Sequence, residues 1–196
     1  ETPVTNVTLS YRVICIGAST RGLQPIQKIL SKLPADFPLP IICTLHVGEG
    51  VLSKLVDWLS LQCKLKIKVG QVGESPEPGT VYFAPEKNHL ELDSRGKFIY
   101  SRAVPGEKHC PSITVMFKSI ARFYGRTTAG VLLTGLGHDG VQGLQVISQV
   151  GGLTIAQDEN GVAFGMVKEA LALGAAQHLL PIEDIAPFLL LFSLSK

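Results

Sequence analysis

The chain has 196 residues, with 18 Lys and Arg against 16 Asp and Glu and a formal charge of +2. That length fits one domain, and a composition 45% hydrophobic and only 17% charged excludes a disordered chain and a basic nucleic-acid-binding surface as starting expectations. A membrane-spanning helix is excluded too, because the most apolar stretch, Ile185 to Leu194, is broken by Pro187 and is about half of the roughly 18 residues a bilayer requires.

Taken in chain order, Glu1 to Ser10 carries neither the basic segment nor the apolar segment of a secretion signal, and the first residue is not Met. The expectation is a piece of a longer protein, with residues 1–11 a linker remnant and 12–196 the domain. The run Arg12 to Gly17 is β-branched and apolar and ends in small residues, as a fully buried parallel strand does. Leu23, Ile26, Ile29, Leu30 and Leu33 then repeat at helical spacing, with Pro25 tolerated in the first turn and Pro34 ending the helix. The unit recurs as strand Ile41–His46, helix Val51–Leu61 and a short strand Lys66–Val69. Strand-like runs follow at Val81–Ala84, His89–Leu92 and Phe98–Tyr100, the last two joined by Asp93-Ser94-Arg95-Gly96, which predicts an antiparallel hairpin inserted in the parallel sheet. Helical spacing returns at Ile113, Met116, Phe117 and Ile120. A strand Ala129–Leu133, the glycine-rich loop Thr134–Gly140 and a helix with Val141, Leu144 and Ile147 come next. The pattern closes with strand Leu153–Ala156, a helix Met166–Leu173 stopped by Gly174, strand His178–Leu180 and a final helix from Ile182. The fold class is therefore α/β, a doubly wound and mainly parallel sheet with helices on both faces.

The four cysteines, Cys15, Cys43, Cys63 and Cys110, are far apart and form no C-x-x-C pair. They read as buried thiols in a reducing compartment, with a cytoplasmic location implied. The five histidines have no metal-ligand spacing.

Ligands of open parallel sheets bind beyond the carboxyl ends of the strands, so polar residues just after each strand come first. Ser19, His46 and Asp139 all fall there. Each has a plain structural explanation alone: Ser19 or Thr20 as a helix cap, His46 as a packed histidine, Asp139 as an Asx turn. Together they supply the parts of nucleophilic acyl transfer, with Ser19 to attack, His46 to move the proton and Asp139 to orient the imidazole. Backbone N–H groups of the tight turns are then candidates to hold an oxyanion. The competing nucleotide site is disfavoured because GASTRG (Gly17–Gly22) lacks the middle glycine of G-x-G-x-x-G and no P-loop is present. G-x-S-x-G is absent as well, and the order Ser, His, Asp differs from that of α/β-hydrolases.

At these residues the sequence resembles the catalytic domain of the chemotaxis protein-glutamate methylesterases, the CheB type. The matching segments are IGAST (Ile16–Thr20), His46, YFAP (Tyr82–Pro85), Pro111-Ser112, LLTGLGHDG (Leu132–Gly140), AQDE (Ala156–Glu159) and FGM (Phe164–Met166). The resemblance implies a serine hydrolase that removes methyl groups from glutamate esters on methyl-accepting chemotaxis receptors and deamidates receptor glutamine, without metal or organic cofactor. It places the triad at Ser19, His46 and Asp139, and an oxyanion and substrate-binding region at Thr20, Arg21, Leu136 and Gly137. Departures from the family pattern gather at the rim: Arg21 for glycine, Leu45 for glutamine, Leu136 for methionine, Cys110 for arginine and Thr114 for aspartate. They leave open an alternative, an esterase-like domain that acts mainly as a receptor-binding module. The resemblance further implies a receiver or methyltransferase domain elsewhere in the full-length protein, and no nucleic-acid partner or membrane insertion.

Overall fold

The computed structural model describes residues 10–133, 135, 137–159 and 165–193. Its centre is a seven-stranded sheet in the order β3-β4-β2-β1-β7-β8-β9, every neighbouring pair parallel. The strands are β1 (Val13–Ala18), β2 (Ile41–Leu45), β3 (Lys66–Val69), β4 (Thr80–Phe83), β7 (Thr128–Leu132), β8 (Leu153–Asp158) and β9 (His178–Pro181). β1, β2 and β7 are buried along their whole length, which is why they read as unbroken apolar runs rather than alternating ones. The sheet matches the doubly wound class expected from the sequence.

Strand alternation sorts the core into two layers. Ile14, Ile16, Ala18, Ile41, Cys43, Leu45, Val131 and Leu133 share one apolar cluster with α1 (Leu23–Leu30), α2 (Leu52–Gln62) and α6 (Ile182–Ser193). Val13, Cys15, Ile42 and Leu132 share the other with α3 (Ile113–Tyr124), α4 (Val141–Gln149) and α5 (Gly165–Ala172). Among the described residues no helix is long and apolar enough to cross a membrane.

Two local expectations are adjusted. The antiparallel hairpin exists as β5 (His89–Leu92) and β6 (Phe98–Ser101), but it forms its own two-stranded sheet and not part of the parallel one. It braces α3 through side chains instead: Leu92 N–H donates to Ser119 Oγ at 2.8 Å, and that hydroxyl donates back to Leu92 C=O at 3.3 Å. The first helix ends at Leu30, a turn before Pro34. The backbone tightens there into i→i+3 bonds, Lys32 N–H to Ile29 C=O and Leu33 N–H to Leu30 C=O, a common way to close a helix.

The start of α3 is pressed against the end of β1. A Cβ at Gly17 would lie 2.2 Å from Ile113 Cγ2, and one at Gly140, where φ is +107°, would lie 2.6 Å from Leu132 Cδ1 and 2.9 Å from Ile113 Cγ2. Only glycine allows this approach. Gly17→Ala should therefore destabilise the protein by about 1–3 kcal/mol. Urea titrations of the single and double variants check the cause: adding Ile113→Ala should make the combined loss smaller than the sum of the two by about 1 kcal/mol. Additive losses would show that the contact is not what fixes the helix.

Candidate active site

β1 and β2 run side by side in register, Ala18 opposite Leu45, and the ladder continues with His46 N–H donating to Ala18 C=O at 3.0 Å. Ser19 and His46 are the next residues on their strands, at the carboxyl edge of the sheet. Alternation puts both in phase with Cys15, Ile42 and Thr44, on the face that α3 covers. Thr44 Oγ1 donates to Met116 Sδ in α3 at 3.0 Å, as that phase requires.

Asp139 reaches the same face from the loop after β7. Its Oδ2 accepts from His46 Nε2 at 2.8 Å and from Ile113 N–H at 2.7 Å. Its Oδ1 accepts from Ser112 Oγ at 2.8 Å and from Thr114 N–H at 3.1 Å. The carboxylate thus sits on the free N–H groups that open α3, where the helix dipole favours an anion. Burial alone would push this carboxyl up; the bonds from His46, Ile113, Thr114 and Ser112 outweigh it and hold it at about 2. Ser112 is the N-cap of α3, its hydroxyl accepting from Val115 N–H while donating to Asp139. Thr114 Oγ1 accepts from Gly140 N–H at 2.8 Å and so closes the loop back on the helix. His138, one residue before Asp139, is hydrogen-bonded through Nδ1 to Glu169 of α5.

With Nε2–H committed to Asp139, the lone pair of His46 is on Nδ1. Ser19 is buried, 7% exposed, and opens a short 3-10 turn, Thr20–Gly22, closed by Gly22 N–H to Ser19 C=O at 2.8 Å. Although Ser19 occupies the N-cap position, its side chain makes no capping bond. Its Oγ has no hydrogen-bond partner among the described residues, so the cap explanation fits Ser112 and not Ser19. The structure joins His46 to Asp139 directly and sets Ser19 beside them without a hydrogen bond to either. Thr20 and Arg21 lie exposed in the 3-10 turn, and Arg21 has no ion-pair partner among the described residues. Gly137 takes φ +101° in the Asp139 loop. Leu136, like Thr134 and Phe164, lies outside the described residues.

Sequence reasoning did not single out His109, His89 or Glu107. His109 lies flat against the His46 ring, centroids 4.4 Å apart and planes 4° from parallel. A cavity of about 310 Å³ opens beside the pair, walled by Leu45, Leu52, Pro85, Lys108 and Pro111 among others. His89, 1% exposed, accepts from Ser112 N–H through Nδ1 at 2.9 Å and bonds Glu107 Oε2 through Nε2 at 2.7 Å. The signal available was Pro111-Ser112 with a histidine just before it, but nothing in spacing ties either to His46. Among the described residues no three His, Cys, Asp or Glu side chains are grouped to hold a metal ion.

The depressed Asp139 carboxyl carries a stability consequence. Held at about 2 against an ordinary 3.8, it contributes about 2 kcal/mol that is fully present above pH 4 and lost as pH falls towards 2. Asp139→Asn should lower unfolding free energy by about that amount at pH 7, with the gap closing at pH 2 to 3. Denaturant titrations at both pH values check it; a gap independent of pH would mean that packing, not ionisation, sets the difference.

Residues 14–189 match the family model described as CheB methylesterase. A curated relative from Nitrosospira multiformis, named protein-glutamate methylesterase/protein-glutamine glutaminase, is 38% identical over 185 residues, 94% of this chain and 52% of its own length. A similarly named relative from Syntrophus aciditrophicus is 39% identical over 187 residues, 95% of this chain and 53% of its own length. The chain thus spans about half the length of these relatives. The crystal structure of the Thermotoga maritima CheB methylesterase catalytic domain superposes with a TM-score of 0.86 at 33% identity, covering 92% of this chain and 97% of that one. Family match, relatives and fold agree over nearly the whole described domain, and the chain belongs to the CheB methylesterase family.

Proposed function

We propose that this chain is a serine hydrolase that cleaves methyl esters of glutamate side chains on methyl-accepting chemotaxis receptors and deamidates receptor glutamine, with Ser19 as nucleophile. The observation that carries this reading is an unpartnered Ser19 hydroxyl beside an imidazole whose other nitrogen is bonded to a carboxylate held at about 2. Ser19 Oγ attacks the ester carbonyl and its proton passes to His46 Nδ1. Asp139, unable to take the proton at neutral pH, stabilises the imidazolium that forms. His46 then protonates the leaving methoxide or amide nitrogen, giving methanol or ammonia, and water hydrolyses the acyl-Ser19 ester by the same route in reverse. The oxyanion falls to backbone N–H groups, with those of Thr20 and Gly137 as the candidates among the described residues. No step needs a metal or organic cofactor. The free Cys15 and Cys43, buried with thiols pushed up by desolvation, suit the cytoplasm, and the full-length protein carries a receiver or methyltransferase domain in this reading.

Ser19→Ala and His46→Ala should each lower hydrolysis of a glutamate methyl ester by about a thousandfold or more, and the double variant should lose little beyond either. A serine-directed phosphonate should label the chain at Ser19 and leave Ser19→Ala unlabelled. An unlabelled chain that still binds receptor would instead identify a binding module.

Arg21 stands at the dipole-positive start of a turn, where a cation is disfavoured by about 0.3–1 kcal/mol. We assign it to steering: it meets acidic side chains beside the target glutamate. Arg21→Gly should then raise KM for an acidic receptor segment, less so at high salt, and leave a small neutral ester unchanged. Faster turnover of both substrates would show that Arg21 obstructs the site, and no change in either would leave it without a role.

A further inference from the structure

We propose that His109 is a positioning residue for His46, holding the imidazole plane by stacking against it. The inference rests on the hydrolase reading above. Asp139 fixes His46 along one edge only, at the Nε2 to Oδ2 bond of 2.8 Å, and a single bond leaves the ring free to turn about that axis. A second ring parallel to it at 4.4 Å removes this freedom, because rotation would drive one edge into the other face.

The stack is held by its own anchors. Two residues before His109, Glu107 Oε2 accepts from Val104 N–H at 3.1 Å and is bonded to the buried His89 Nε2 at 2.7 Å. One residue after it, Cys110 Sγ donates to Lys87 C=O at 3.3 Å. His89 can play this part in one tautomer only: Ser112 N–H occupies Nδ1, so Nε2 carries the proton given to Glu107. The exposed strap from Arg102 to His109 is thereby pinned to the residue that caps α3 and holds Asp139. His109 and Asp139 grip opposite aspects of one ring from a shared support.

The experiment measures kcat and KM at neutral pH on a small neutral glutamate methyl ester for the natural chain, His109→Ala, His109→Phe and Ser19→Ala. His109→Ala should lose about three- to tenfold in kcat with KM within about twofold, the worth of one aromatic stack. His109→Phe, which keeps an aromatic ring against His46, should restore most of that loss. Hydrolysis that survives in Ser19→Ala would overturn the hydrolase reading. Ser19-dependent hydrolysis with natural kcat in His109→Ala, or a His109→Phe variant as slow as His109→Ala, would overturn the role of His109.

Discussion

The docking of one carboxylate on the first turn of α3 is the contact on which the remainder of the site depends. Asp139 receives four donors there, two from backbone N–H groups, one from the Ser112 hydroxyl and one from His46. An anion so enclosed would be costly without them; with them it is the point where the loop after β7, the helix α3 and the end of β2 are tied together. Its location relative to Ser19 is then set by sterics, because Ile113 of the same turn lies against Gly17 of β1. Asp139, His46 and Ser19 come from segments far apart in sequence, yet a single helix terminus touches the segments that carry all three.

Much of this was legible in the sequence, for definite reasons. Strands buried on both faces announce themselves as apolar runs, and the rule that polar residues after such strands gather at one edge selected Ser19, His46 and Asp139 without knowledge of the fold. The hidden parts are those that depend on tertiary contact. Two serines, Ser19 and Ser112, precede helical turns, and either could have been a cap. Only the structure separates them, since Ser112 accepts from Val115 N–H and Ser19 accepts from no backbone group. His89 and Glu107 are 18 residues apart, and their bond leaves no periodic trace. His109 carries no signal either, for stacking between rings 63 residues apart in sequence obeys no spacing rule.

The detached hairpin has a comparable explanation. β5 and β6 are four residues each, and as isolated pairs such strands are marginal. They persist because their inward side chains, Leu90, Leu92 and Phe98, join the apolar layer under α3, and because Ser119 takes up the Leu92 backbone. The hairpin in turn carries His89 beneath the α3 cap. An element that looked like an interruption of the sheet is a bracket for the helix whose first turn holds Asp139.

The position of β1 between β2 and β7 also bears on synthesis. β1 pairs with β2 some thirty residues on, but its other edge waits for Thr128–Leu132. Until that segment has left the ribosome, a nascent chain presents an open parallel edge, apolar on both faces, which is the kind of surface that recruits other chains. Fragments ending before residue 128 should consequently be clients for chaperones, and that exposure ends only when β7 closes the middle of the sheet.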